Sequence, residues 1–210
     1  MTAPPAAAIR RVVVFCGSSP GNRPEYAAAA AELGRVLAKR GIGLVYGGAS
    51  IGLMGAVADA ALAAGTEVIG VIPQRLVELE IAHAGLSELH VVETMHQRKA
   101  LMAELSDGVI ALPGGTGTLD ELFELFTWSQ LGLHRKPIGL LDVAGYWQPL
   151  LALLEHAVAE RFLRAAQRDK LLVERDPAAL VERLTSWPAP PAPGQVPNTR
   201  SPASPRPGRM

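Results

Sequence analysis

One cysteine, Cys16, is all the chain holds, so it can form no internal disulfide and its fold must rest on packing and hydrogen bonds. Net charge is lacking too, because 20 Lys and Arg offset 20 Asp and Glu. Residues 187–210 contain Arg200, Arg206 and Arg209 and no acid, which leaves the body before them about three units negative. Such a body should not hold nucleic acid non-specifically. No apolar run reaches the ~18 residues of a membrane span. The opening Met-Thr-Ala-Pro-Pro-Ala-Ala-Ala has neither a charged n-region nor a long apolar stretch, so no secretory signal is expected and the cytoplasm is the default compartment. His83, His90, His134 and His156 lack carboxylates or cysteines at metal-ligand spacing, and no metal site is expected.

What the chain does have is glycine and a regular alternation of patterns. Of its 210 residues 49% are hydrophobic and 21 are glycine. Short apolar runs at 11–16, 42–46, 66–72, 90–92, 109–112, 136–141 and 171–173 read as strands, several of them buried on both faces. Helical spacing separates them at 24–40, 52–64, 95–105, 119–131, 146–161 and 177–184. Strands alternating with helices predict parallel pairing, hence one α/β domain with a single doubly wound, Rossmann-like sheet and helices on both faces. Residues 1–8 are expected to be a flexible leader, 9–186 the folded domain, and 187–210, with eight of the 17 prolines, a disordered tail. The weakly periodic stretch 73–89 reads as an excursion over the surface.

The most informative stretch runs from Asp107 to Glu124, where a strand ends in Pro113, Gly114, Gly115 and Gly117 follow, and a helical pattern begins. Glycines there allow positive φ and close approach of a ligand, and a helix N-terminus attracts anions. The loop is not a P-loop, since no Gly-Lys-Ser/Thr follows the required gap. The first strand-to-helix turn, Gly17 to Gly21, lacks the dinucleotide fingerprint, so NAD is disfavoured. A monophosphate-sized site at the carboxyl ends of parallel strands remains.

Glu121 has two readings. Thr118 and Glu121 have capping-box spacing, which would make the glutamate a helix cap, and the same carboxylate could do chemistry. Asp120 suits the helix dipole. Thr94 and Gln97 form a second box that sets Arg98 and Lys99 in the first turns of a helix, where cations are disfavoured unless an anion answers them or they swing into solvent. His96 reads as a surface residue and Cys16 as a small buried hydrophobe. Ser18, Ser19 and Ser50 are N-caps or phosphate contacts with equal claim. The helix after the loop is apolar on more than one face, through Leu122, Phe123, Leu125, Phe126, Trp128, Leu131 and Leu133, and a helix of that kind predicts a homodimer seam.

Three motifs together resemble the Lonely Guy family of cytokinin-activating phosphoribohydrolases, formerly labelled lysine decarboxylases. They are Pro113 to Glu121 (Pro-Gly-Gly-Thr-Gly-Thr-Leu-Asp-Glu), Met95 to Lys99 (Met-His-Gln-Arg-Lys), and Gly47 to Gly55 (Gly-Gly-Ala-Ser-Ile-Gly-Leu-Met-Gly). Ala49 and Asp120 depart from the commoner glycine and glutamate. The resemblance, which extends over about residues 12–184, implies a metal-independent, cofactor-free dimer. It makes Arg98 and Glu121 the catalytic pair. It assigns the nucleotide to Glu80, Arg98, Lys99, Gly114, Gly115, Thr116, Gly117, Thr118, Leu119, Asp120 and Thr127. The implied reaction is hydrolysis of the N-glycosidic bond of cytokinin riboside 5'-monophosphates, or AMP, to free base and ribose 5-phosphate. A non-catalytic nucleotide or cofactor carrier of the same fold is the alternative. Lysine decarboxylation stands far behind, because none of Lys39, Lys99, Lys136 and Lys170 lies in a recognisable pyridoxal phosphate context.

Overall fold

The computed structural model describes residues 9–77 and 82–188. The expected leader 1–8, Glu80 and residues 189–210 of the expected tail lie outside the described residues. Valine and isoleucine runs, favourable in fully buried strands, give β1 (Arg11–Phe15), β2 (Gly43–Tyr46), β3 (Val68–Pro73), β4 (Glu88–Val92), β5 (Gly108–Ala111), β6 (Ile138–Leu141) and β7 (Leu171–Glu174). All pair in parallel, in the order β4-β3-β2-β1-β5-β6-β7. The chain therefore winds outward from β1 to β4, returns to β5 beside β1, and winds the other way. A crevice opens at that reversal, beyond the carboxyl ends of β1 and β5.

Alternation along β1 divides the core. Val12, Val14 and Cys16 face one side, where α1 (Pro24–Lys39), α2 (Gly52–Ala63) and α8 (Pro177–Thr185) pack. Val13 and Phe15 face the other, under α4 (Met95–Glu104), α5 (Thr116–Gln130) and α6 (Gln148–Ala159). Two short helices were not expected from periodicity, α3 (Gln74–Val77) within the excursion and α7 (Ala165–Arg168). At four residues each they are too short to show an apolar repeat. The expected helix 146–161 begins at Gln148, after a 3₁₀ turn at Val143–Gly145. Trp187, read as the start of the tail, is half-buried against the first core cluster. No helix among the described residues is long and apolar enough to cross a membrane.

Candidate active site

The loop and the helix behind it begin earlier than the spacing suggested. The first helical residue is Thr116 and the N-cap is Gly115, with no side-chain capping bond. Thr118 is thus inside the helix, and the Thr118–Glu121 capping box is overturned. Its place is taken by open amides, because the N–H groups of the first turn have no intrahelical acceptor. The expectation of positive φ in the loop also fails, as Gly114, Gly115 and Gly117 are not among the left-handed glycines. Their glycine character serves space instead. A Cβ on Gly114 would lie 2.0 Å from Thr118 Oγ1 and 2.8 Å from the Gly17 amide nitrogen, whereas one on Gly115 or Gly117 would meet nothing within 4 Å. The Gly17 N–H donates to the Pro113 carbonyl at 3.0 Å, which joins the turns after β1 and β5.

Glu121 lies buried on the inner face of α5, 3.7 Å from Arg98 Nη1 through its Oε1. The Thr94–Gln97 capping box forms as expected and starts α4 one turn before Arg98. Arg98 does not swing into solvent. Buried to 7% exposure, it donates from Nε to the Val71 carbonyl at 3.0 Å and from Nη2 to the Gly47 carbonyl at 3.2 Å. The guanidinium thus bridges β3 and the turn after β2 and faces the carboxylate. That packing depends on Gly47, where a Cβ would fall 2.2 Å from Arg98 Nη2 and 2.8 Å from Met54 Sδ. Gly47→Ala is accordingly expected to lower activity on nucleoside monophosphates by about a hundredfold with a stability loss of roughly 1–3 kcal/mol, checked by steady-state kinetics and urea unfolding.

Lys99 is equally buried but turns the other way, to Asp120 Oδ2 at 2.9 Å and Glu124 Oε2 at 3.1 Å. Burial opposes its charge, yet the bonds to these two carboxylates outweigh it and raise its pKa. Asp120, the fifth residue of α5 and so beyond its first turn, is an ion-pair partner and not the helix-dipole acid that the sequence suggested.

Cys16, Gly17, Ser18, Met54, Arg98, Gly115, Thr116, Gly117, Thr118 and Glu121 line one cavity of about 220 Å³. A neighbouring one of about 290 Å³ shares Gly17, Ser18 and Gly115 and adds Gly114, Ser19, Tyr26 and Tyr146. The Tyr146 hydroxyl donates to the Gly114 carbonyl, and its ring meets Tyr26 edge-on at 6.0 Å. Of the residues expected to bind substrate, Leu119, Asp120 and Thr127 stand apart, around an open depression on the outer face of α5. Ser50 lies in the turn after β2, half-buried, and is not among the residues lining either cavity. His96 is exposed. Cys16 was read only as core, yet it borders the cavity, where burial first and Glu121 next push its thiol above the usual range. Met54 was quoted only within a motif, and its place against Arg98 had no signal beyond that. Among the described residues no group of three or more His, Cys, Asp or Glu could hold a metal ion.

Comparison with known proteins gives a consistent picture. A family model described as "Possible lysine decarboxylase" matches residues 54–184. A cytokinin riboside 5'-monophosphate phosphoribohydrolase of Rhodococcoides fascians is 51% identical over 178 residues, 84% of this chain and 90% of its own length. One of Arabidopsis thaliana is 49% identical over 178 residues, covering 85% of this chain and 84% of that protein. Among solved structures, the molybdenum cofactor carrier protein of Chlamydomonas reinhardtii superposes with a TM-score of 0.63 at 22% identity, over 87% of this chain and 98% of the carrier. That likeness speaks to the fold alone.

Proposed function

The chain belongs to the Lonely Guy family, and from that premise we propose that it hydrolyses the N-glycosidic bond of cytokinin riboside 5'-monophosphates, and of AMP, releasing free base and ribose 5-phosphate. The observation that carries the reading is the buried Arg98–Glu121 pair in the same cavity as an uncapped helix N-terminus. The amides of Thr116, Gly117 and Thr118 are donors for the 5'-phosphate, favoured by the helix dipole. As the bond from C1' to the base breaks, positive charge develops on the ribose, and the Glu121 carboxylate stabilises it. Glu121 also takes the proton of the attacking water, whose oxygen bonds to C1' while the electron pair of the broken bond leaves with the base; the base takes up a proton from solvent, and Glu121 returns the one it took to solvent. Arg98, anchored on two carbonyls, orients that carboxylate. Lys99 supports the cradle from the far side of α5 through Asp120, and Glu80 is assigned to the same substrate.

The description as a lysine decarboxylase finds no support here, because no lysine is among the residues lining the cavity. The carrier alternative draws nothing from fold likeness. Incubation with AMP and with isopentenyladenosine monophosphate, followed by chromatography, is expected to yield free base; none from either substrate would sink the assignment.

The same reading takes residues 9–186 as the catalytic unit, the cytoplasm as its compartment and a homodimer as its working state. The dimer is supported by Leu131 and Leu133, 70% and 69% exposed, continuing the half-buried Phe123 and Trp128 along the outer side of α5. Light scattering should report a dimer, and a stable monomer at low concentration would refute it.

A further inference from the structure

At the opposite end of the sheet, where β6 and β7 begin, a second cavity of about 480 Å³ is bordered by the end of α5 (Ser129, Gln130), by Gly132, His134, Arg135 and Lys136 in the following loop, and by Ile138, Lys170, Trp187 and Pro188. It takes no part in the chemistry above. Among the described residues lining it, Arg135, Lys136 and Lys170 are cations and none is an acid. Among the described residues, Arg135, Lys136 and Lys170 form no ion pair. Their visible partners are carbonyls: Lys136 Nζ donates to Ala103, and Lys170 Nζ to Ser129 at 3.4 Å. These carbonyls belong to the ends of α4 and α5, so helix-end capping accounts for part of two of the three charges. It does not account for Arg135.

The charge is answered only in part nearby. Asp107 faces Lys136, but its carboxylate already accepts from the Arg10 and Arg11 amides, and Glu104 is exposed. Burial lowers the pKa of Lys136 in spite of both acids. His134 is committed to the neutral form by its contacts, donating from Nε2 to the Leu125 carbonyl and accepting at Nδ1 from the Lys136 amide.

We propose that this cavity is a binding site for a nucleoside diphosphate, separate from the catalytic crevice, with the diphosphate held by Arg135, Lys136 and Lys170 and the base on the indole of Trp187. Three cations match the charge of a diphosphate ester, and arginine's fork suits its oxygens. A half-buried indole offers the flat apolar surface a base requires, and the volume lies in the range of small-ligand pockets.

The test uses the full-length protein and ADP, read by tryptophan emission. Trp187→Phe identifies the part of the signal that comes from the cavity, over the background of Trp128 and Trp147. ADP is expected to change that part saturably, pyrophosphate to compete and adenosine not to. Arg135→Gln, an exposed position, should weaken ADP roughly tenfold, and Arg135→Gln with Lys170→Gln further still. An unaltered Trp187 signal up to millimolar ADP, or a double variant that binds as tightly as the parent, overturns the proposal.

Discussion

Glu121→Gln is expected to lower turnover of isopentenyladenosine monophosphate by roughly a thousandfold while nucleotide binding stays within a few-fold of the parent. Glutamine keeps the shape of the side chain and removes the charge, so the variant loses the group that stabilises a cationic ribose and accepts water's proton. It leaves the loop amides that grip the phosphate in place, since they are backbone groups of the first turn of α5. Single-turnover kinetics and calorimetric titration with AMP separate the two effects. A fully active variant would return Glu121 to a structural role. If activity and binding fall together, the carboxylate holds substrate and does not act on it.

The second large effect concerns stability as well as activity. Arg98→Ala removes the only cation among the described residues lining the catalytic cavity and leaves the buried Glu121 without that partner, together with the Val71 and Gly47 carbonyls it served. Breaking a buried pair from one side costs about 3–5 kcal/mol, mostly for the charge left behind. Activity should fall to background. Adding Glu121→Gln should restore part of the stability, because a neutral amide is cheaper to bury than a lone carboxylate. Urea unfolding of both single variants and the double variant measures that coupling. Strict additivity would mean that the two groups do not interact at their 3.7 Å separation.

Local features could be read from the sequence, while most contacts across the fold could not. The seven strands and their parallel pairing follow from alternating apolar runs and short glycine turns, which are encoded within a few residues, whereas the strand order and its reversal between β1 and β5 come from packing across the fold. The box at Thr94 and Gln97 has the same local origin. Thr118 and Glu121 had the same spacing without the outcome, because Thr118 packs on Gly114 and the helix begins a turn earlier. Tertiary packing decided between two chemically acceptable starts. Arg98 and Glu121 are 23 positions apart; a cation in the first turns of a helix called for an anion, either a phosphate or the Glu121 carboxylate, and the family resemblance then named the two as a pair. Asp120 and Glu124, one turn apart on α5, were a legible signal for a cation between them, and Lys99 is that cation. The cavity at His134, Arg135 and Lys136 had a weaker trace, consecutive basic residues in a loop. Its remaining walls come from Lys170 and Trp187, far along the chain.

The hydrogen bond from Gly17 to the Pro113 carbonyl has a consequence for how substrate enters. It laces the two turns that flank the reversal, and the Arg98 contacts tie β3 and the turn after β2 to α4 in the same region. The floor of the crevice is therefore assembled before a nucleotide arrives. Association spends little free energy on rearranging this floor, and discrimination among bases must arise at the rim of the crevice, above the sheet.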